Sequence, residues 1–346
     1  MERRTQKVAV YYRNDDVRVQ EAPVPDIGPG ELLMRVEASG ICGSDVMEWY
    51  RVRRAPLVLG HEVAGVVEEV GEGVERFKKG DRIVAAHHVP CNTCRYCLRG
   101  HHSVCETLRS TNFDPGGFAQ YVRLPGINVD RGVFHLPDEL SFEEGTFVEP
   151  LACVLRGQRV AGLRPGESVF VIGSGISGLL HIASAKALGA GRIVATDINQ
   201  GRLHFAKMMG ADDAFLAEGE LSEKLKRANG GLGADVVAVC TAAAPAVRSA
   251  FRCADRGGRI LFFAPTMPGE TFPFPLYDLW RDGVGVHFSY AGPPADMMAA
   301  LELLRSRRIL VGGMVTHRLP LSETARGFEL VAAARSSVKV IIRPHA

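Results

Sequence analysis

The amino-acid sequence predicts an α/β protein with a β-rich part and a doubly wound parallel sheet. Up to about residue 150, short apolar runs are separated by glycine-containing turns such as Pro29-Gly30, which is typical of strands. After Pro165-Gly166, strand-length and helix-length segments alternate, as they do in a parallel, doubly wound sheet. With 346 residues, the chain is long enough for two domains with full cores.

The β-rich part begins with a predicted hairpin, in which KVAVYY and VRVQ flank a turn at Asn14-Asp15-Asp16. Three further strands are predicted in ELLMRVEASGIC, EVAGVVEEV and DRIVAAH, each bounded by a glycine-containing turn. The alternation between strand and turn therefore continues through this part of the chain.

The parallel sheet is predicted from strands over 168–172 and 192–197 and helices over 176–188 and 199–209. ADVVAVC, the helix-like APAVRSAFRC and GRILFFAP continue the alternation. In the last fifty or so residues we expect a helix over 296–305 and a final strand in VKVIIRP.

Composition and charge exclude several classes of protein. A formal net charge of +2 gives no electrostatic argument for binding nucleic acid. The N-terminal MERRTQKVAV lacks the apolar core of a secretory signal, and no uncharged apolar run reaches the roughly 18 residues of a membrane span. Eight cysteines without an export signal indicate a reducing compartment, so we expect a cytoplasmic protein.

Four cysteines form the most informative motif, a C-x2-C-x2-C-x7-C run. Four thiolates close a tetrahedral shell around zinc and leave no position for water or substrate. Disulfides across two-residue gaps are geometrically poor, and the polar surroundings, HHVPCNTCRYCLRGHHSVC, do not suit inert buried thiols. The motif predicts a structural zinc in a lobe over about residues 87–107, with an iron–sulfur cluster as the alternative. The predicted ligands are Cys91, Cys94, Cys97 and Cys105.

A glycine-rich loop predicts a nucleotide site in the parallel sheet. Gly173, Gly175 and Gly178 spell G-x-G-x-x-G between a predicted strand and a helix that starts at Ile176. Three glycines alone are a weak signal, and the strand–loop–helix context strengthens it. The glycines let a pyrophosphate approach the backbone, and the helix N-terminus offers N–H donors to it.

Asp197 ends the next predicted strand, and its carboxylate could accept hydrogen bonds from the adenosine ribose of a dinucleotide. The same charge would repel a 2′-phosphate, which favours NAD over NADP. A plain turn aspartate is the alternative reading. Arg202, one helical turn further on, is either a contact of the adenine or ribose or a solvated helix residue, and it leaves room for NADP.

A second set of candidate metal ligands lies at predicted strand ends, with Cys42 in GICGSD and His61 in LGHE. Taken singly, each fits an ordinary buried side chain as well as a ligand. The chain carries, in this order, GxCGSD, GHE, the four-cysteine lobe, Glu149-Pro150 and the glycine loop. This order of motifs resembles that of the zinc-dependent medium-chain alcohol dehydrogenases, and it is close to that of the sorbitol and threonine dehydrogenases. The resemblance extends over essentially the whole chain, through THRLPL to the final VKVIIRP.

The resemblance implies a GroES-like catalytic domain over 1–150 and 291–346 and a Rossmann coenzyme domain over 151–290. It also implies two zinc ions per subunit, one structural and one catalytic. The implied ligands of the catalytic zinc are Cys42, His61 and Glu149, with Glu62 coordinating directly or through water. Cys153, four residues after Glu149, is expected to be a buried thiol and not a ligand.

Ser44 and Asp45 have catalytic roles that the resemblance implies. Zinc acidifies a coordinated alcohol, which then gives hydride to the nicotinamide of NAD. Ser44 matches a hydroxyl that passes the proton toward the cofactor ribose, and Asp45 matches a carboxylate that orients His61. An ordinary hydrogen-bonded turn is the alternative for both residues.

Two positions depart from the family pattern. Members often carry a histidine at the position of Met47, and methionine cannot relay a proton. Sorbitol-type members tend to show Arg-Tyr where this chain has Ser289-Tyr290, which puts sorbitol itself in doubt as the substrate. Trp49 and Tyr50 are expected to line the substrate pocket, with ordinary aromatic core residues as the alternative.

Lys339 matches a basic residue that lies near the cofactor pyrophosphate in relatives, and a solvated lysine at a strand end is the alternative. The resemblance also implies a homodimer or homotetramer, paired through the sheet edge near GRILFFAP. The expected partner is a small alcohol, without nucleic acid or membrane.

The sequence as a whole predicts an NAD-dependent zinc dehydrogenase that oxidises a secondary alcohol, such as a polyol or a cyclitol. A threonine-like amino-alcohol dehydrogenase is the alternative among zinc enzymes, with Glu48 as a candidate partner for the substrate amine. The ligand set argues against a zinc-free quinone reductase. A non-catalytic NAD-sensing protein is the alternative from a different class.

Overall fold

The computed structural model describes residues 4–346. They divide into two compact units. The first unit contains the described residues up to Ala152 together with Gly292–Ala346, and the second unit is Cys153–Ala291. The first bound lies two residues from the domain boundary expected at 150, and the second lies one residue from the boundary expected at 291.

Short strands and short helices build the first unit up to residue 148. The strands are β1 (Thr5–Arg13), β2 (Asp16–Pro23), β3 (Leu32–Gly40), β4 (Leu57–Val58), β5 (Glu62–Val70), β6 (Arg82–Ala85), β7 (Tyr121–Leu124) and β8 (Val133–His135). The helices are α1 (Glu48–Arg51), α2 (Glu106–Ser110), α3 (Gly126–Gly132) and α4 (Phe142–Gly145), with 3₁₀ turns at Val52–Arg54, Cys97–Arg99 and His102–Val104. The predicted hairpin is confirmed, since β1 and β2 pair antiparallel across Asn14 and Asp15.

The second unit alternates strands and helices, as its sequence predicts. It is entered through α5 (Val148–Val160) and continues with β9 (Val169–Ile172), α6 (Ile176–Ala187), β10 (Ile193–Asp197), α7 (Gln200–Met209), β11 (Asp213–Leu216), α8 (Leu221–Ala228), β12 (Ala234–Val239), α9 (Ala244–Cys253), β13 (Ala254–Phe262), α10 (Leu276–Arg281) and β14 (Gly285–Phe288). Its sheet has the order β11-β10-β9-β12-β13-β14, and every pairing between neighbours is parallel. All residues of β9 and β10 are buried, because helices cover both faces of such a sheet.

The chain then returns to the first unit. The returning elements are α11 (Pro294–Arg305), β15 (Val315–Pro320), α12 (Thr324–Ala333) and β16 (Lys339–Arg343), with 3₁₀ turns at Gly312–Met314 and Leu321–Glu323. β16 pairs antiparallel with β3 at Ile341↔Gly40, so residues from opposite ends of the chain meet in one sheet.

Two sheets organise the first unit. One has the order β2-β1-β4, and the other follows β15-β16-β3-β5-β6-β8, with β7 also on β3. Leu32, Met34 and Val36 of β3 pack in one apolar core, and Ile41, just after β3, packs in a second core with Tyr11. Both cores exclude water from the strand that leads to Cys42. The predicted fold class, a β-rich unit and a doubly wound parallel sheet, is confirmed.

The helices of the described chain are short relative to a membrane span. Across residues 4–346, the longest helix is α5, with 13 residues. A span needs about 20 predominantly apolar residues. Within the described part of the chain, no helix meets that requirement.

Candidate active site and metal centres

The ends of β3 and β5 bring the first candidate site together. The two strands pair antiparallel, and their register ends at Gly40↔Glu62. Cys42 follows Gly40 by two residues and His61 directly precedes Glu62. The pairing therefore places both residues at the same end of the two strands. The ligand atoms of Cys42, His61 and Glu62 all lie within 4.8 Å of one another. A sulfur, an imidazole nitrogen and a carboxylate oxygen at this spacing suit zinc.

Asp45 orients two members of this group. Its carboxylate is fully buried, and Oδ2 accepts a hydrogen bond of 3.0 Å from the backbone N–H of Cys42. Oδ1 lies 3.4 Å from Nδ1 of His61, which leaves Nε2 of His61 to face the ligand group. The structure therefore places Asp45 where the sequence predicts an orienting carboxylate.

The charges of this pair support each other. Burial acts to raise the pKa of Asp45, but His61, Arg51 and the Cys42 N–H outweigh it and hold that pKa below its usual range. Burial acts to lower the pKa of His61, but the Asp45 carboxylate outweighs it and raises that pKa well above its usual range. A metal ion bound at the group would compete with the proton of this imidazole.

Glu62 forms a buried ion pair with Lys339. Nζ of Lys339 donates to Oε2 of Glu62, and both side chains are almost completely buried. Nζ also lies 5.6 Å from the centre of the Phe147 ring. The alternative reading of Lys339 as a solvated strand-end lysine is wrong, and its contact with a cofactor pyrophosphate stays a prediction.

The second oxygen of Glu62 fits a metal or a water ligand. Oε1 is buried and has no hydrogen-bond partner among residues 4–346. A buried carboxylate oxygen without a partner costs free energy, so its position is best explained by a cation or a water that it would contact. This orphan oxygen, together with the sulfur and the imidazole, shows that the group fits zinc.

Glu149 lies in the first turn of α5, half-buried. Within residues 4–346, the group of ligand atoms that meet within 4.8 Å contains Cys42, His61 and Glu62 and does not include Glu149. Its coordination of the zinc stays a prediction. Cys153 is partly exposed, so the expectation of a buried thiol is wrong for this residue.

Ser44 lies beside the group and contacts an arginine that the sequence analysis did not single out. Oγ of Ser44 accepts a hydrogen bond of 3.0 Å from Nη2 of Arg51, and the Ser44 carbonyl accepts one of 2.9 Å from Nε. The Met47 carbonyl accepts hydrogen bonds from the N–H groups of Tyr50 and Arg51, which starts α1 and turns Arg51 back toward Ser44. The only sequence signal for this contact is a basic residue six positions after Asp45, the last residue of GxCGSD.

Other side chains surround the site. Trp49 and Tyr50 are half-buried, with ring centres 5.8 Å apart, and their contact with a substrate stays a prediction. His87, which the sequence analysis also missed, has its ring centre 4.7 Å from that of His61 and 3.8 Å from that of His88. Burial lowers the pKa of His87 well below its usual range, so it is neutral beside the ligand group.

The four-cysteine lobe has the dimensions of a metal centre. The sulfur–sulfur distances are 3.5 Å for Cys94–Cys97, 3.6 Å for Cys105–Cys91 and 4.0 Å for Cys91–Cys97. A zinc ion with bonds of about 2.3 Å in a tetrahedron separates its sulfurs by about 3.8 Å, whereas a disulfide separates them by about 2.05 Å. The lobe therefore fits a tetrahedral metal and not a disulfide.

The thiols of the lobe also need a cation. The backbone N–H groups of Thr93 and Cys94 lower the pKa of Cys91 to about 5, so its thiolate forms readily. Burial raises the pKa of Cys97 to about 12, so its thiol stays protonated when metal is absent. Four thiolates can coexist at this spacing only around a positive ion.

The glycine loop of the second unit has the shape that a dinucleotide requires. Gly173 has φ of +95°, and a Cβ at Gly178 would collide with the carbonyl oxygen of Gly173. α6 starts at Ile176 with Gly175 as its N-cap, and glycine has no side chain to occupy the first N–H groups. These donors face the loop and can bind a phosphate.

Asp197 lies at the end of β10 beside this loop. Its Oδ2 accepts a hydrogen bond of 2.7 Å from the N–H of Ser174, and Oδ1 accepts one of 2.9 Å from Asn199. Nη1 of Arg202 lies 3.9 Å from Oδ2, so the arginine is an ion-pair partner of Asp197 and the alternative of a solvated helix residue is wrong. The loop and the carboxylate are thus held together as one rigid corner.

Two family descriptions match the chain. They are Alcohol dehydrogenase GroES-like domain, over residues 28–138, and Zinc-binding dehydrogenase, over residues 177–306. A sorbitol dehydrogenase from Gallus gallus is 31% identical over 345 residues, with coverage of 96% of this chain and 95% of that protein. The chain belongs to the zinc-dependent medium-chain alcohol dehydrogenase family.

Solved structures of the family share this fold. The 2R,3R-butanediol dehydrogenase of Bacillus subtilis has a TM-score of 0.85 at 28% identity, covering 98% of this chain and 99% of that one. A Sinorhizobium meliloti 1021 structure with NADP bound has a TM-score of 0.88 at 27% identity, covering 99% and 100%. The predicted GroES-like and Rossmann folds are confirmed. The chain is an alcohol dehydrogenase that uses zinc and a nicotinamide cofactor.

We expect the Cys94→Ala variant to lose one zinc ion per subunit. Because a closed metal shell supports the fold of its loop, its melting temperature should fall by about 5 °C or more, roughly 2 kcal/mol for a unit of this size. Metal analysis and thermal unfolding measure both effects, with Arg95→Ala, an exposed neighbour, as the matched control. Unchanged zinc content and melting temperature in Cys94→Ala would refute the structural zinc.

Proposed function

We propose that this enzyme oxidises a secondary alcohol of a polyol, or of a similar hydroxylated small molecule, to a ketone with NAD. The observation that carries the proposal is the convergence of Cys42, His61 and Glu62 beside Ser44, whose backbone N–H donates to Sγ of Cys42 at 3.4 Å. The similar proteins support the substrate class, since two of them are named for sorbitol and 2R,3R-butanediol, both of which contain secondary alcohols.

The proposal includes two zinc ions per subunit. Cys42, His61 and Glu62 would hold the catalytic ion, with Glu149 as a further ligand, and the four cysteines of the lobe would hold the structural ion. When bound, the catalytic zinc acidifies the alcohol as a Lewis acid and the nicotinamide accepts its hydride.

Residues of the chain itself manage the proton. We assign to the Ser44 hydroxyl the role of accepting the proton of the alcohol while its own proton leaves toward solvent. Asp45 holds His61 in the orientation that presents Nε2 to the metal site. Met47 has no titratable group, so the proton path beyond Ser44 does not include this side chain.

Asp197 supports NAD as the preferred cofactor. Its carboxylate is fixed at the end of β10 by two backbone N–H groups and retains lone pairs for ribose hydroxyls. The negative charge disfavours a 2′-phosphate, although the nearby Arg202 reduces that effect. The NADP seen in the Sinorhizobium meliloti structure is a property of that protein.

The test of the proposal is NADH formation by the purified, zinc-loaded enzyme. The panel contains polyols, cyclitols, simple secondary alcohols and threonine, and each compound is run with NAD and with NADP. We expect turnover of at least one polyol or cyclitol, faster with NAD. Turnover of threonine alone would indicate an amino-alcohol dehydrogenase, and a preference for NADP would contradict the role given to Asp197.

Cys42→Ala should abolish turnover and leave cofactor binding intact, because the thiolate is a ligand in the first unit and the glycine loop lies in the second. We expect kcat to fall by at least about 100-fold, and we expect the variant to lose one of the two zinc ions per subunit. The control is Cys153→Ala, which should keep wild-type rate and zinc content. A Cys42→Ala enzyme that works at the wild-type rate with one fewer zinc would show that the assignment is wrong.

We further propose a homo-oligomer that pairs through β14, the edge strand of the parallel sheet. Large apolar side chains are exposed on and near this edge, and such a patch usually marks an interface. Their exposed fractions are 71% for Phe288, 74% for Trp280 and 63% for Tyr277.

Light scattering should give a mass of at least twice the 37.5 kDa of one chain. Phe288→Lys should shift the mass toward one chain, because it buries a charge in the proposed interface. The matched control is Leu310→Lys, whose side chain is also exposed but lies in the first unit. A monomeric wild-type protein would contradict the proposal.

A further inference from the structure

Arg51 is held against the candidate active site by an unusual concentration of contacts. Its side chain is 15% exposed, and its guanidinium donates to the carbonyl and to Oγ of Ser44 at 2.9 Å and 3.0 Å. Nη2 also lies 3.5 Å from Oδ1 of Asp45, and the guanidinium carbon is 4.8 Å from the centre of the Tyr50 ring. A long, flexible side chain loses rotamer entropy when it is held in this way, so the contacts need an explanation beyond surface solvation.

The hydrogen bond to Oγ determines how the Ser44 hydroxyl can be used. A hydroxyl has one hydrogen to donate and two lone pairs to accept, whereas a guanidinium only donates. Since Arg51 occupies one lone pair, the hydrogen of Ser44 must point away from Arg51. The second lone pair remains for an incoming proton. The arginine thus fixes the direction in which the hydroxyl donates.

The charge of Arg51 adds to this effect. A guanidinium stays protonated in proteins, so Arg51 neither accepts nor supplies the proton of the reaction. At 3.0 Å its positive charge stabilises negative charge on Oγ of Ser44. This favours departure of the Ser44 proton at the moment the alcohol proton arrives. Met47 offers no titratable group in this path.

We propose that Arg51 is a positioning residue for the dehydrogenation, acting through the Ser44 hydroxyl. The inference rests on the proposed function of the site. The alcohol gives its O–H proton to Oγ of Ser44, and Ser44 gives its own proton to water. The carbon gives a hydride, with two electrons, to the oxidised nicotinamide. One proton is released overall, and Arg51 is unchanged.

A structural role for Arg51 is the competing explanation, because the same guanidinium ties the Ser44 carbonyl and Asp45 into one turn. The two explanations predict different dependence on the Ser44 hydroxyl. If Arg51 acts through Oγ, its removal has no further effect once Oγ is gone. If Arg51 only supports the turn, the two losses multiply.

The experiment is a double-mutant cycle on kcat with Arg51→Gln, Ser44→Ala and the double variant, using the best alcohol of the substrate panel. We expect Arg51→Gln to lower kcat by about tenfold or more, with KM changed by less than about threefold. The double variant should be no slower than Ser44→Ala within about twofold. Arg51→Lys should recover part of the rate, since it keeps the charge but loses the fork of donors.

Two further measurements separate positioning from structure. The solvent deuterium isotope effect on kcat should rise in Arg51→Gln, because proton movement becomes slower relative to the other steps. Zinc content and melting temperature should stay close to wild type in Arg51→Lys, which keeps the fold testable if Arg51→Gln unfolds. The matched control is Arg53→Gln, an exposed arginine of the same segment, which should leave kcat unchanged.

The outcomes are distinct. Multiplicative losses in the cycle, a wild-type kcat in Arg51→Gln, or zinc loss in Arg51→Lys would overturn the role of Arg51 while wild-type turnover still supports the proposed function. A wild-type enzyme that turns over none of the alcohols would overturn the proposed function and this inference together. In that case, melting temperatures of the same four proteins still report whether Arg51 and Ser44 are coupled.

Discussion

The fully buried carboxylate of Asp45 connects the parts of the site that would otherwise be independent. One oxygen accepts from the Cys42 N–H, and the other faces both Nδ1 of His61 and Nη2 of Arg51. A buried carboxylate without these partners would be strongly destabilising, so the turn, the imidazole and the guanidinium hold their positions together. The candidate metal ligands Cys42 and His61 and the arginine that contacts Ser44 are therefore positioned by one shared carboxylate.

The pairing of β3 with β5 determines where the thiol and the imidazole lie. β3 and β5 end in register at Gly40↔Glu62, which places the thiol and the imidazole side by side. The second unit differs, because its glycine loop offers backbone N–H donors to a phosphate. The glycines have no side chains that would block the approach of the phosphate. The candidate metal site of the first unit is thus built from side chains, and the glycine loop of the second unit presents backbone groups.

Local patterns allowed much of this to be predicted from the sequence. The four cysteines and the glycine loop bring their partners together within a few residues, and the alternation after Pro165-Gly166 specifies the parallel sheet. The misses concern contacts that spacing does not encode. Burial of Lys339 depends on Glu62, 277 residues away, and the Arg51–Ser44 contact depends on how α1 turns after Met47. The exposure of Cys153 likewise depends on tertiary packing.

The pairing of β16 with β3 has a consequence for how the enzyme is made. Lys339 and its strand leave the ribosome after the whole second unit, yet they complete the sheet and neutralise Glu62 in the first. Until then, the nascent first unit has an open sheet edge and an uncompensated acid next to its thiol and imidazole. The Rossmann unit, contiguous in sequence, can fold on its own while synthesis continues. Completion of the candidate metal site therefore waits until β16 has been synthesised, after the whole second unit.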